Sequence, residues 1–194
     1  MAIQPMINPT MPPRERILQA AGYLFYTDGI RATGIDRLIA EAGVTKVTFY
    51  RQFSSKDALI LAFLQHRYQR WMTWFKGALQ RHGANLAALV PTLAEWFKGE
   101  AEGLNAFRGC AFINSLAELG DTLEGVKALS RQHKQDMTTV IAALLLDTPQ
   151  QLQQAAAIAL AVDGCIVRAQ YEENPQAALQ ALEGVLALYL AARQ

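Results

Sequence analysis

The sequence predicts an all-α protein of about nine helices, with a small N-terminal three-helix domain and a larger helical domain after it. Three observations predict this class. Apolar residues recur at helical spacing, capping residues with proline or glycine separate the periodic segments, and no stretch alternates apolar and polar residues as a β-strand would. A composition of 52% hydrophobic and 18% charged residues is that of a folded chain with a substantial core.

The N-terminal half begins with an arm and continues as four helices. Residues 1–13 contain four of the seven prolines, so they are predicted to be a flexible arm. The helices are expected at about Pro13–Thr27, after a Thr33 cap to Ala42, at Thr45–Tyr50 and at Ser55–Gln80. Gly29 and Gly43 stand where the first two of these helices end, as C-terminal glycines do.

The remaining helices are expected at about residues 85–98, 110–119, 122–146, 149–171 and 175–192. Pro91 must either kink the first of these or mark its true first turn. Thr148-Pro149 and Asn174-Pro175 each combine a capping residue with a proline at the first helical position.

Charge is uneven along the chain. Residues 1–56 hold seven Lys+Arg against four Asp+Glu, which gives +3, and the rest hold eleven against thirteen, which gives −2. A basic N-terminal unit suits a polyanionic partner, although three charges can also arise by chance.

The sequence gives little indication of a metal, a cofactor or a membrane as a partner. Cys110 and Cys165 form no CxxC pair, and the three histidines show no metal-ligand spacing, so two reduced core thiols and no metal or cofactor are expected. No secretory signal stands out, and the apolar runs are shorter than the roughly 20 residues that span a bilayer. The expectation is a soluble, cytoplasmic protein without a membrane partner.

The second and third helices meet at a tight turn containing Gly43, an arrangement typical of a helix-turn-helix unit. Helical phase turns Val44 and Phe49 inward. It leaves a polar outer face made of Thr45, Lys46, Thr48, Arg51 and Gln52. Lysine, arginine and hydroxyl groups suit DNA phosphates and base edges.

Two further residues extend this face. Val47 is apolar yet expected outside, where it could touch a thymine methyl group. Lys56 lies in the first turn of the fourth helix, where free backbone N–H groups already favour a phosphate, although a solvated lysine is the plain alternative.

The stretch GIRATGIDRLIAEAGVTKVTFYRQFSSKDAL, residues 29–59, resembles the N-terminal domain of the tetracycline-repressor (TetR) family of bacterial transcription regulators. The likeness is close over residues 14–60 and continues weakly in RGCAFINSLAEL. Val47 stands where the family often has glycine or alanine.

The resemblance implies a helix-turn-helix DNA-binding domain over residues 14–58 and a ligand-binding and dimerisation domain over residues 59–194. It also implies roles for individual residues. Base edges would be read by Lys46, Val47, Thr48 and Arg51, and phosphates would be held by Thr33, Thr45, Tyr50, Gln52 and Lys56. Tyr50 could instead be, or also be, an aromatic residue at the edge of the core.

In the larger domain, aromatic residues at helical spacing could line an apolar ligand pocket with a few polar contacts. The candidates are Trp71, Trp74, Phe75, Trp96, Phe97 and Phe112, with Arg108, Asn114, His133 or Glu118 as polar groups. Aromatic residues at this spacing are also common in an ordinary core.

The last two predicted helices are rich in alanine and carry broad apolar faces, which suit a four-helix bundle made by two subunits. The predicted interface residues are Leu160, Ile166, Val167, Leu179, Leu182, Leu186 and Leu190. A monomer that buries these faces internally is the alternative.

The predicted function is a homodimeric, sequence-specific DNA-binding transcription regulator, a repressor that a small-molecule ligand releases from a palindromic operator. An enzyme is not expected, because no nucleophile–base set, phosphate loop or metal motif is apparent. The alternative is a helical small-molecule-binding protein that reads no specific DNA.

Overall fold

The computed structural model describes residues 7–99 and 107–191, and within them every regular element is a helix. The all-α prediction is confirmed. The helices are α1 (Pro13–Thr27), α2 (Ile35–Ala42), α3 (Lys46–Gln52), α4 (Lys56–Arg81), α5 (Leu89–Phe97), α6 (Ala111–Leu119), α7 (Glu124–Ala142), α8 (Gln151–Tyr171) and α9 (Gln176–Ala191). A 3₁₀ turn, Leu86–Ala88, precedes α5.

Local capping signals explain the ends of the helices around the turn between α2 and α3. Gly43 ends α2 in the left-handed conformation, with φ +59°, which glycine adopts without strain. The Thr45 hydroxyl accepts the backbone N–H of Thr48 at 3.1 Å and so caps α3. The turn therefore depends on two residues whose chemistry is readable in the sequence.

Other expected caps are absent. Gly34 is the N-cap of α2 and makes no side-chain capping bond, so the expectation that Thr33 caps this helix is wrong. The helix predicted at Thr148-Pro149 begins only at Gln151, and its N-cap, Gln150, makes no such bond either.

The predictions at Pro91 and Asn174 are confirmed, and the one at Pro175 is not. Pro91 is the third residue of α5, in its first turn, so it begins the helix without kinking it. The Asn174 side chain accepts the backbone N–H of Gln176, the first residue of α9, at 2.9 Å, whereas Pro175 precedes the helix.

One compact unit comprises the chain up to Gln69 together with Ala111–Ser130. In it α1 packs on α2 and α3. Its core contains the fully buried side chains of Ile17, Leu24, Leu38, Phe49 and Leu59. α6 and the first part of α7 thus belong to the same compact unit as the helix-turn-helix, whereas the functional boundary at residue 58 stays a prediction.

The second compact unit comprises Arg70–Cys110 and Arg131–Gln194. In it α8 packs against α9, and α5 also contacts α9. By length and hydropathy alone, α8 could cross a membrane, but core helices of soluble proteins meet the same criterion. Ile158, Val162 and Ile166 of α8 are buried in this unit.

Candidate DNA-binding surface

The reading helix, as we call α3, buries very little of itself. Of its seven residues only Phe49 is buried, and that side chain has no exposed surface. Val47 is 77% exposed, and Lys46 and Arg51 are exposed as well. A two-turn helix with one core contact gains little from burial, so its outer face is available to a partner.

Lys46, Val47 and Arg51 therefore lie outside, as base reading requires. Thr48 is half-buried, and its hydroxyl accepts a hydrogen bond from the Thr45 hydroxyl at 2.9 Å. This leaves the Thr48 hydroxyl its own proton to donate to a base or phosphate. The base contacts themselves stay a prediction.

Tyr50 combines the two roles that the sequence left open. Its ring packs edge-on against Phe49 with centroids 5.4 Å apart, while 42% of the residue is exposed. Gln52, at the end of the reading helix, is half-buried, and Thr45 is exposed. All three lie where a phosphate contact is feasible.

Thr33 does not fit the predicted phosphate role. The residue has no exposed surface, and its hydroxyl donates to the Gly29 carbonyl at 2.7 Å. In this arrangement the hydroxyl organises the α1–α2 turn, residues 28–34, and lies out of reach of a DNA backbone.

Lys56 has an internal partner. Its Nζ donates to the Ile30 carbonyl at 2.6 Å. Burial lowers the pKa of Lys56, while attraction to Glu118 and Asp57 opposes that shift. An ammonium group has three donors, so a phosphate contact remains compatible with this bond.

Glu118 lies beside the same turn, in the unit that contains the reading helix. Its carboxylate accepts the backbone N–H groups of Ile30, at 3.1 Å, and Arg31, at 2.7 Å. The sequence offered Glu118 as a polar group of a ligand pocket, and the structure corrects that expectation. No local pattern could identify this partner, because it comes from a segment 87–88 residues away.

In the second unit some of the predicted pocket residues form one cluster and others do not. Trp71 lies at the centre of an aromatic cluster, with ring centroids 4.6 Å from Phe75, 5.4 Å from Trp96 and 4.9 Å from His133. Phe107, which the sequence analysis did not select, joins this cluster through Trp96 at 5.3 Å. The structure thus brings together the central members of the predicted pocket.

The other pocket candidates lie elsewhere or have different roles. The Trp74 indole donates to Glu95 at 3.3 Å, and Phe97 contacts Phe107 with centroids 4.6 Å apart. Arg108 is exposed. Phe112 and Asn114 belong to the other compact unit, so the cluster described for the second unit does not include them.

Some of the predicted dimer-interface residues are buried in the single chain and others are exposed. Ile166, Leu179, Leu182 and Leu186 are at most 5% exposed within the single chain, so they form its own core and cannot be part of an open interface. Leu160, Val167 and Leu190 are exposed, as are three leucine and tyrosine residues that the sequence analysis missed, Leu152, Tyr171 and Leu188. A helical wheel shows an apolar face but not which neighbour covers it.

Within the described ranges no group of three or more His, Cys, Asp or Glu side chains is placed to hold a metal ion. Cys110 and Cys165 are buried and free of disulfides. Burial raises the pKa of Cys165 to about 11, so its thiol stays protonated at neutral pH.

Comparison with known proteins shows which family the chain resembles. Residues 17–63 match the model of the bacterial regulatory proteins of the tetR family. SCO4454, a TetR-family transcriptional regulator from Streptomyces coelicolor, is similar over 90% of this chain and 94% of its own, with 30% identity and a TM-score of 0.74.

Two further relatives are transcriptional regulators by name. An uncharacterised HTH-type regulator from the lacX 3' region of Lactococcus lactis is 28% identical over 160 residues, 79% of this chain and 81% of the relative. The HTH-type transcriptional activator FasR of Mycolicibacterium smegmatis is 32% identical over 93 residues, 46% of this chain and 42% of the relative.

Proposed function

The chain belongs to the TetR family of transcription regulators and is a DNA-binding regulator, and we propose that it is a homodimeric repressor that a small-molecule effector releases from a palindromic operator. This family is one of regulators and not a class of enzymes. The protein acts in the cytoplasm, on the DNA of the cell.

The observation that carries the proposal is the outer face of the reading helix. Lys46, Val47 and Arg51 project from a helix in which only Phe49 is fully buried. Within a major groove, Arg51 and Lys46 would donate to guanine, and Val47 would contact a thymine methyl group. Thr45, Tyr50 and Gln52 would hold phosphates and set the register.

A dimer follows from the size of this surface and from the C-terminal helices. One seven-residue helix covers few base pairs, whereas a two-fold dimer reaches two half-sites about 34–36 Å apart. On α8 the exposed Leu152, Leu160 and Val167 share one face, and on α9 Leu188 shares a face with exposed small residues. These two faces would form the intersubunit bundle.

The effector site is proposed at the aromatic cluster around Trp71. The indole N–H of Trp71, 5% exposed, has no hydrogen-bond partner within the described residues. The same holds for the fully buried hydroxyl of Thr92, which lies one helical turn before Trp96 on the same side of α5. Buried polar groups are nearly always paired, so an effector with a hydrogen-bond acceptor and a flat apolar body would suit this cluster. Trp74 provides the contrast, since its indole already donates to Glu95.

The effector would act by binding the two arrangements of the dimer with different affinities, and favouring the one that does not fit the operator. The relative FasR is an activator by name, so activation is the second candidate for the direction of regulation. Transcription in vitro from a promoter containing the recovered site would separate the two, because a repressor lowers and an activator raises transcript yield.

The experiment that tests the proposal is selection of bound duplexes from a random library by the purified full-length protein at near-physiological salt, followed by sequencing. We expect a palindrome with one half-site spacing. Binding that is salt-sensitive but yields no motif would contradict specific reading and favour a helical small-molecule-binding protein. A single half-site without a palindrome would contradict the dimer.

A further inference from the structure

The α1–α2 turn is held from outside the helix-turn-helix, although it lies at the start of that motif. The two backbone N–H groups of Ile30 and Arg31 donate to the Glu118 carboxylate at 3.1 and 2.7 Å. The Ile30 carbonyl accepts from Lys56 at 2.6 Å. Both polar groups of the Ile30 backbone are thus bound by charged side chains from other helices.

These bonds to Glu118 are of a strong kind. Hydrogen bonds from N–H groups to a carboxylate are shorter and about twice as strong as bonds between neutral groups. The bond to Ile30 is part-buried, so water competes less for it than for the exposed bond to Arg31. Lys56, which carries the opposite charge, lies close enough to be attracted to it.

The backbone allows this close approach at a glycine. Gly29 has φ +93°, a conformation that side-chain-bearing residues rarely adopt. A Cβ atom at this residue would lie 3.4 Å from both carboxylate oxygens of Glu118, at the edge of ordinary van der Waals contact. The left-handed backbone, more than the space beside the carboxylate, therefore requires glycine in this turn.

The turn connects directly to the helices on both sides of the reading helix. It leads into α2, whose N-cap, Gly34, makes no side-chain bond, so this helix start depends on the turn for its order. Lys56, the first residue of α4, comes four positions after Gln52, the last residue of the reading helix. Glu118 thus acts on both neighbours of the reading helix through the bonds at Ile30.

We propose that Glu118 is a positioning residue for DNA binding: its carboxylate holds the α1–α2 turn, and the turn sets α2 and α4 on either side of the reading helix, so loss of the carboxylate lowers affinity for the operator. This inference rests on the proposed DNA-binding function and names a residue outside the reading helix that supports it. Glu118 touches no DNA in this scheme.

The test compares Glu118→Gln and Glu118→Ala with the wild type in full-length protein. Asp121→Asn is the matched control, because it removes the same charge two residues after α6 from a fully exposed side chain that pairs with Lys127 at 3.4 Å. Thermal unfolding followed by circular dichroism establishes that each variant folds.

The first readout is hydrogen exchange of the peptide containing Ile30 and Arg31, measured without DNA. Loss of the carboxylate should speed exchange at these amides by at least about tenfold in Glu118→Ala, and less in Glu118→Gln, which keeps one acceptor oxygen. Asp121→Asn should exchange as the wild type does. Unchanged exchange in both Glu118 variants would overturn the inference, whatever the DNA results.

The second readout is affinity for the selected operator and for a random duplex. We expect about tenfold weaker operator binding by Glu118→Ala and a change of less than about twofold on the random duplex, because the phosphate-contacting groups are still present. Equal weakening on both duplexes, or wild-type affinity with faster exchange, would overturn the positioning role. If Glu118→Ala does not fold, Glu118→Gln alone tests the inference. Its amide exchange should then still be faster and its operator affinity still lower than in the wild type, by smaller factors.

The two readouts separate this inference from the proposed function. If wild-type protein selects no motif, the proposed function fails, and the positioning role that rests on it fails too. Fast amide exchange in the Glu118 variants would then show only that Glu118 stabilises the α1–α2 turn. If the wild type selects an operator and the variants bind it normally, the function stands and the positioning role is wrong.

Discussion

The reading helix and the C-terminal helix both expose a large apolar side chain, but in different surroundings. Val47, 77% exposed, lies among Lys46, Thr48 and Arg51. Leu188, 72% exposed, shares its face of α9 with the small residues Ala181 and Gly184, where a Cβ added at Gly184 would meet nothing within 4 Å.

The difference indicates which kind of partner each surface suits. A single apolar group framed by cations and hydroxyls matches a DNA groove, whose walls are phosphates and whose floor carries a few methyl groups. An apolar group framed by alanine and glycine lets another helix approach closely. Exposure alone would not have separated the two surfaces, whereas the neighbouring side chains do.

The largest expected effect is on stability, and it tests whether Leu186 of α9 belongs to the core or to the surface. Leu186 is 2% exposed, so Leu186→Asp places an unpaired charge in the core and should lower the free energy of unfolding by about 3–5 kcal/mol. Urea unfolding followed by circular dichroism measures this change. A loss below about 1 kcal/mol would mean that Leu186 faces solvent, as its predicted interface role requires.

The next effect concerns the dimer. Leu160→Asp combined with Leu188→Asp should leave helix content unchanged and produce monomers, because both side chains are more than 70% exposed in the single chain. Sedimentation at micromolar concentration checks this, and operator affinity should fall by about a hundredfold or more as the second half-site is lost. Glu183→Lys, a charge change on α9 away from Leu188, is the control. A double variant that still sediments as a dimer would place the interface elsewhere.

Base reading by the outer face of the reading helix gives a smaller, selective effect. Thr48→Ala or Arg51→Ala should relax the preference at one base pair of each half-site, at a cost of about 1–3 kcal/mol. Binding to operators mutated one base pair at a time measures this, with a random duplex as reference. Equal weakening on specific and random DNA would remove the residue from the base-reading set.

The smallest expected effect concerns Lys56. It tests whether Lys56 binds a DNA phosphate in addition to the Ile30 carbonyl. If one of its remaining donors holds a phosphate, Lys56→Ala should reduce the slope of log affinity against log salt by roughly 0.9. Titrations between low and moderate salt on a random duplex provide the slope. An unchanged slope with weaker operator binding would assign Lys56 to the turn alone.

Features that depend on residues close in sequence could be predicted. The Gly43 turn, the inward Phe49 and the first-turn position of Pro91 each involve groups within about four positions of one another. Thr45, expected within the reading helix, is its N-cap. The capping predicted at Thr33 and Thr148 failed even at this range, since each helix starts a residue or two later than its capping signal suggests.

Features that depend on tertiary packing could not be predicted from the sequence. The apolar faces of α8 and α9 were visible, but whether Leu186 or Leu188 meets the core depends on which helix lies against which side. The same holds for Glu118, whose partners Ile30 and Arg31 lie 88 and 87 residues earlier.

By itself, the sequence determined that this protein is helical and that a short polar helix follows a glycine turn, because helical periodicity, capping and turn chemistry act over a few residues. Only the tertiary structure decided that Thr33 is buried, that Lys56 binds Ile30, and that Glu118 holds the turn beside the reading helix. Burial and long-range hydrogen bonds depend on which segments meet in space, and a local pattern carries no record of that.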